Sequence, residues 1–320
     1  MAALMLAVFT VSVGFGVVLP RLPSLIERLL GAGVEAAQVS RHTGLLTAAY
    51  TLSLFLCAPL WGRLSDRRGP RGVLLIGLFG FGATMLAFSF VESLTAVYAE
   101  RFLSGVFAAA VTPVAAAVVG NFTTTEQGRA RRLAFVSMAG IIGFLLGPML
   151  GLFVTRFAAD IFDLGMPAGS VTVPLATTAL LAFLVVAAVA FTVSGEGHER
   201  LRKTPGAPVD KTPWLVPQLL ILTFTVSAGV GAFEVGLALR GKQELGLTPY
   251  QIALMFTECS VVMFVMQAIV FFWFKPDATR WLIAPALASL AAGLFFVPRA
   301  SDFALMLVVI GAVAASAGIL

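Results

Sequence analysis

Gly62-Arg63-Leu64-Ser65-Asp66-Arg67-Arg68-Gly69-Pro70-Arg71 lies between two strongly apolar stretches and packs four arginines, one aspartate and two glycines into ten residues. A basic turn flanked by apolar runs of about 20 residues is what a short loop between two membrane-crossing helices looks like. The rest of the chain agrees: 59% of its 320 residues are hydrophobic and only 12% are charged. Lipid offers no hydrogen-bond partners, so each apolar run must satisfy its own backbone as a helix or in a closed barrel. Runs of about 20 residues without strict alternation specify helices.

Ten spans are expected, at 4–28, 43–62, 71–91, 94–119, 132–155, 173–193, 214–239, 249–274, 281–298 and 302–320. Met1 leads into apolar sequence with no basic flank and no small-residue cleavage site, so the first run reads as a retained helix rather than a signal peptide. Thirteen Lys and Arg residues fall in loops after even-numbered helices and seven in loops after odd-numbered ones, which puts the N-terminus on the cytoplasmic side. Trp61, Trp214, Trp273 and Trp281 fall at ends on that same face, as interfacial anchors do. The net charge of +5 is then a topology signal, and nucleic acid is not an expected partner. Cys57 and Cys259 lie inside apolar spans with no disulfide or metal spacing.

Residues 195–213 (GEGHERLRKTPGAPVDKTP) form a polar, proline-containing break after six helices. The expected organisation is a first six-helix bundle over 1–194, a cytoplasmic linker over 195–213 and a second bundle of about four helices over 214–320. Asp277, in Lys275-Pro276-Asp277-Ala278-Thr279-Arg280, repeats the position of Asp66 relative to the start of its half. By the proportions of the first half, about two further helices are expected beyond Leu320, which makes the sequence a fragment or a truncated product.

On three motifs the chain resembles a major facilitator superfamily transporter, most of all the drug/proton antiporter branch. The first turn fits G-x3-D-[RK]-x-G-x-[RK]-[RK] at Gly62, Asp66, Arg67, Gly69 and Arg71, with Gly72 at the last basic position. Arg101-Phe102-Leu103-Ser104-Gly105 fits R-x-x-x-G. Gly143 to Gly151 (GFLLGPMLG) is close to G-x3-G-P-x2-G-G, with Leu152 replacing the final glycine. All three motifs lie in the first half. The resemblance implies an all-α polytopic fold of two pseudo-repeated six-helix bundles, the second incomplete here. It implies that Asp66 and its basic neighbours latch one conformation against the N-terminal dipole of helix 11. It also implies a role for Arg101 in coupling, and makes the glycine face of helix 5 the surface on which the bundles rock.

The residues can also be read without the family. The basic turn serves equally as a topology signal at lipid headgroups. Arg101, roughly 10 Å into its helix, needs a partner or water; a salt bridge within the first bundle satisfies it as well as a coupling role. Glu100, about 100° around the helix from it, is expected to point elsewhere. Gly143, Gly147 and Gly151 share a face that admits another backbone, and Pro148 is expected to bend the helix. Glu258 sits some 15 Å inside helix 8 and Glu234 near the outer end of helix 7, which makes Glu258 the better protonatable coupling site and Glu234 the second. Tyr50, Thr51, Ser53, Thr225, Ser227 and Gln267 could line a central cavity.

The expected function is proton-coupled efflux of a small organic or drug-like molecule by alternating access. Proton symport for uptake, and a non-transporting truncated protein that binds a ligand or partner, are the alternatives; sodium coupling stays open. Enzyme chemistry is not expected: His42 and His198 lie near no nucleophile or ligand cluster, and there is no phosphate-cradling loop. No cofactor or metal is expected. The partners are a small-molecule substrate, protons and the lipid bilayer of a bacterial inner membrane, with a monomeric carrier.

Overall fold

The computed structural model describes residues 1–31, 33–121, 123, 125–162, 172–192, 215–273, 276–299 and 302–319. Its helices are α1 (Ala2–Leu30), α2 (Ala36–Arg68), α3 (Pro70–Phe88), α4 (Leu94–Ala108, continued by Thr112–Asn121), α5 (Glu126–Phe162), α6 (Thr172–Thr192), α7 (Leu215–Gln243), α8 (Pro249–Trp273), α9 (Pro276–Phe296) and α10 (Phe303–Ile319). Eight of these contain an apolar window long enough to cross a bilayer, and α10 is a shorter apolar helix. No strand occurs among the described residues. The expected linker, 195–213, lies outside them.

Proline and glycine set the breaks. Pro20 and Pro23 each lack an N–H; Pro20 lies within a 3₁₀ turn at Leu19–Arg21 to which α1 tightens, and Pro23 in the first turn of the helix that resumes at Leu22. Ahead of Pro113, α4 loosens: Ala110 N–H bonds Phe107 O and Val111 N–H bonds Ala108 O, which leaves the Val106 carbonyl without its helical donor. Trp61 Nε1 fills the vacancy at 2.7 Å. Trp61 is therefore tied to α4 and half-buried, whereas Trp273 and Trp281 stand exposed beside the α8–α9 turn.

Gly69 alone separates α2 from α3. Its φ of 90° and ψ of 149° belong to a region that is essentially glycine-only, and Pro70 then starts the next helix with its preset φ. Gly69→Ala is expected to cost about 1–3 kcal/mol, read as a lowered melting temperature of the purified protein in detergent. An unchanged melting temperature would mean that the turn relaxes without strain.

Packing follows burial. The apolar window of α1 is 67% buried and that of α2 only 22%, so α1 is an inner column and α2 a peripheral one. Within the first half, α1 lies on α5 and α6, α3 on α4 and α6, and α2 on α4. In the second half, α8 and α9 both pack on α10, and α7 touches α8 and α9. The halves meet where α8 lies on α5 and where α7 reaches α2 and the 3₁₀ turn of α1. Phe55, Phe191 and Phe224 are 75%, 90% and 74% exposed. Surface on this scale is untenable in water and ordinary in hydrocarbon, so the chain is an integral membrane protein.

Candidate functional site

A run of aromatic rings crosses from the first half to the second. Tyr50 of α2 stacks on Phe15 of α1 with centroids 5.3 Å apart, Phe15 meets Phe144 of α5 at 5.8 Å, and Phe144 meets Phe256 of α8 edge-on at 6.2 Å. Edge-on and offset contacts of this kind add to simple burial. Phe256 is 1% exposed, so the seam between the halves is closed at this point.

At the α2 end of the run sits an ion pair. Arg101 Nε donates to Glu100 Oε2 at 2.7 Å and Nη2 to Oε1 at 3.0 Å. Arg101 is 2% exposed and Glu100 6%, and the guanidinium also lies 5.5 Å from the Tyr50 ring centroid and 4.8 Å from that of Phe88. The structure thus brings together two residues that helical geometry was expected to point apart. The Cα–Cβ directions do diverge by about 100°, but two long side chains can still bring their charged ends together. Arg101 is the partner of Glu100, and losing either strands a buried charge at about 3–5 kcal/mol.

The face carrying Gly143, Gly147 and Gly151 lies against α1 of the same half. A Cβ on Gly143 would meet the Phe9 carbonyl, and one on Gly147 would come 2.8 Å from both Val13 O and the Gly16 carbonyl carbon; Gly151 faces the Arg21 guanidinium. From the other side, a Cβ on Gly16 would lie 2.6 Å from Phe144 O. That is the carbonyl four residues before Pro148, which the proline leaves without its helical donor. Close backbone approach lets the Gly16 Cα–H group face it. The helix continues through Pro148.

In the second half, Phe256 of α8 faces α5, and Glu258, two residues and about 200° further round, turns toward α10. Its Oε1 lies 3.8 Å from where a Gly311 Cβ would stand, and its Oε2 is buried with no hydrogen-bond partner among the described residues. Glu234 of α7 is half-buried, as Glu258 is. The remaining cavity candidates are less distinctive. Thr51, Ser53 and Thr225 each donate to a carbonyl of their own helix, the ordinary way a membrane hydroxyl is satisfied, and Ser227 is exposed. Gln267 keeps a buried Oε1 without a partner. His42 Nδ1 bonds Tyr98 Oη at 2.9 Å.

Around the basic turn, Asp66 and Arg67 are exposed in the last turn of α2, and Gly62 has open space where a Cβ would stand. Arg71 is engaged elsewhere, donating from Nη2 to the Ala190 carbonyl near the end of α6 at 2.6 Å, where the negative end of the helix dipole favours a cation.

At the opposite end of the helices, polar groups clasp the two halves together. Lys242 of α7 pairs with the Glu27 carboxylate of α1 and donates to Ser24 Oγ at 3.1 Å. Beside it, Gln243 accepts from Ser40 Oγ and donates to Ala36 O, both at 3.0 Å. The residues involved are more than 200 positions apart, and no sequence pattern announces them.

Residues 4–320 match the Major Facilitator Superfamily. The chain is 27% identical over 272 residues to "Multidrug resistance protein 2" of Bacillus subtilis (strain 168), a match covering 82% of this chain and 64% of that protein. It is 36% identical over 140 residues to "Tetracycline resistance protein, class C" of Escherichia coli, covering 44% of this chain and 34% of that one. It is 25% identical over 253 residues to "Quinolone resistance protein NorA" of Staphylococcus aureus (strain MSSA476), covering 78% of this chain and 60% of that one. The chain thus spans less than two thirds of the length of these relatives. In fold it resembles the partially occluded inward-open xylose transporter XylE from E. coli, with a TM-score of 0.66 at 15% identity over 99% of this chain and 81% of that one. The all-helical architecture, the two packed halves and the match over nearly every residue agree: this chain belongs to the Major Facilitator Superfamily.

Proposed function

We propose that the chain forms the body of a proton-coupled exporter that moves a small amphipathic or apolar organic molecule outward by alternating access. One observation carries the coupling: among the described residues the Glu258 Oε2 is buried without a hydrogen-bond partner, on the helix that packs the second half on the first. Burial of that oxygen disfavours the ionised form, so in this proposal gain or loss of the proton biases the packing of α8 on α10. The resistance proteins among the relatives favour export of organic molecules. Members of the superfamily are transporters rather than enzymes. The bacterial inner membrane is the proposed site and a monomer the proposed unit. The test uses energised inverted vesicles containing the protein: an amphipathic fluorescent substrate is expected to accumulate under an imposed pH gradient and to leave when the gradient is collapsed. Absence of gradient-driven accumulation across chemically varied substrates would defeat the reading.

With thirteen basic residues against seven, the N-terminus is cytoplasmic in this proposal. The Lys242–Glu27 clasp then closes the outer face, while Gly62, Asp66, Arg67, Gly69 and Arg71 serve as the cytoplasmic latch, with Asp66 free to meet a partner when that side closes. The pair is partly exposed, so one such contact shifts the opening equilibrium by up to about 1 kcal/mol, or fivefold. Lys242→Met is therefore expected to speed labelling of Val34→Cys by an impermeant maleimide in intact cells, in a background lacking Cys57 and Cys259. Equal rates would mean that the clasp does not hold the outer face shut.

A further inference from the structure

On the flank of the first half, away from the seam, a groove of about 660 Å³ opens between α3, α4 and α6. Leu75, Phe79, Ala83 and Ala87 line it from α3, Phe107 from α4 and Ala190 from α6. From Leu75 to Ala87 the groove runs about 18 Å at helical rise, close to the roughly 15 Å of hydrocarbon in one leaflet. One end is charged. Ala190, which lines the groove, accepts the Arg71 hydrogen bond through its carbonyl, fixing the guanidinium at the groove mouth one helical turn from Leu75. Among the described residues, Nη2 alone is engaged: Nε is buried without a partner and Nη1 makes no hydrogen bond. Arg67 and Arg68 stand exposed on the same turn.

We propose that this groove holds a single anionic phospholipid, one acyl chain lying along α3 and the phosphodiester meeting Arg71. Three features favour that occupant. Thr84 is the single hydroxyl among otherwise apolar lining residues, which suits a hydrocarbon chain; the length is that of one leaflet; and the positive charge sits at the end where a headgroup would emerge. A chain in the groove would also cover the seam of α3 with α6, and a phosphate on Arg71 would hold its tether to α6 in place. Lipid occupancy therefore reinforces the packing beneath the basic turn. The proposal rests on the membrane-spanning assignment and is independent of what the protein transports.

The test is native mass spectrometry of the delipidated full chain titrated with phosphatidylglycerol or phosphatidylcholine of identical acyl chains. One phosphatidylglycerol is expected to be retained about fivefold more tightly than phosphatidylcholine, the preference one arginine confers near a membrane surface. Arg71→Gln should erase the preference while keeping a lipid. Ala83→Trp, which fills the groove and leaves Arg71 alone, should reduce retention of both lipids without lowering the melting temperature of the lipid-free protein. Equal retention of the two lipids by the unmodified protein, or unchanged retention by Ala83→Trp, would overturn the site. If Arg71→Gln does not fold, Ala83→Trp and the headgroup comparison decide the matter on their own.

Discussion

In inverted vesicles, Glu258→Gln is expected to reduce gradient-driven accumulation to the level of vesicles without the protein. A gradient of one pH unit is worth about 1.4 kcal/mol per proton, enough for about tenfold accumulation in one-for-one exchange. The amide keeps the size and polarity of the carboxyl but carries no titratable proton, so the expected ratio falls from about ten to about one. Exchange of labelled for unlabelled substrate without a gradient should survive, because the variant removes coupling and leaves the path intact. That pattern separates coupling from folding. If Glu258→Gln accumulates substrate as the unmodified protein does, the proton is carried elsewhere and Glu234 becomes the residue to change next. Loss of both accumulation and exchange would instead place Glu258 in the packing of α8 on α10. Arg101 offers no comparable experiment: its removal strands the Glu100 carboxylate, so loss of activity there would report the broken pair rather than a coupling role.

Depth could be read from the sequence and direction could not. Counting residues along an apolar run at 1.5 Å each gives how far along its helix a group lies, and it is on that count that Glu258 and Arg101 are expected inside their runs. Which way a side chain points depends on neighbours from elsewhere in the chain. Glu258 faces α10, and Phe256, which the sequence did not single out, faces the first half. Helix ends differ for a related reason. The run expected at 43–62 is a helix over Ala36–Arg68, and that at 132–155 spans Glu126–Phe162. Hydropathy marks where lipid begins and ends, whereas helices run on through polar sequence until a residue such as Gly69 stops them.

The two contacts that join the halves at the end opposite the basic turn were illegible. Ser40 and Gln243 are 203 residues apart and Glu27 and Lys242 are 215 apart, and each is an ordinary polar residue near a helix end. Their pairing is a product of how the two halves dock. The Glu100–Arg101 pair had a local signal, adjacent opposite charges inside an apolar run, which a strict helical-wheel argument discarded. The wheel places Cβ atoms; it does not limit where an arginine of that length can carry its charge.

Gly147→Val is expected to give little or no folded protein. The Cβ it adds would stand 2.8 Å from Val13 O and from the Gly16 carbonyl carbon. Both are backbone atoms of α1, so no side-chain rotation relieves the overlap; α1 and α5 must separate. Separation costs the dispersion contacts along the most buried helix of the first half. It also breaks the contact of Gly16 with the Phe144 carbonyl that Pro148 leaves without a donor. Overpacking of flexible cores costs about 1–3 kcal/mol; backbone against backbone should exceed that range. Gly16→Ala attacks the same seam from α1, where its Cβ would lie 2.6 Å from Phe144 O, and should lower the melting temperature in the same sense. Gly44→Ala is the counterpart, since nothing lies within 4 Å of a Cβ there, and helix propensity should leave it neutral or more stable by up to about 1 kcal/mol. Fluorescence-detected size-exclusion before and after heating reads all three. A monodisperse Gly147→Val protein with an unshifted melting temperature would mean that α1 and α5 do not approach as closely as this structure has them.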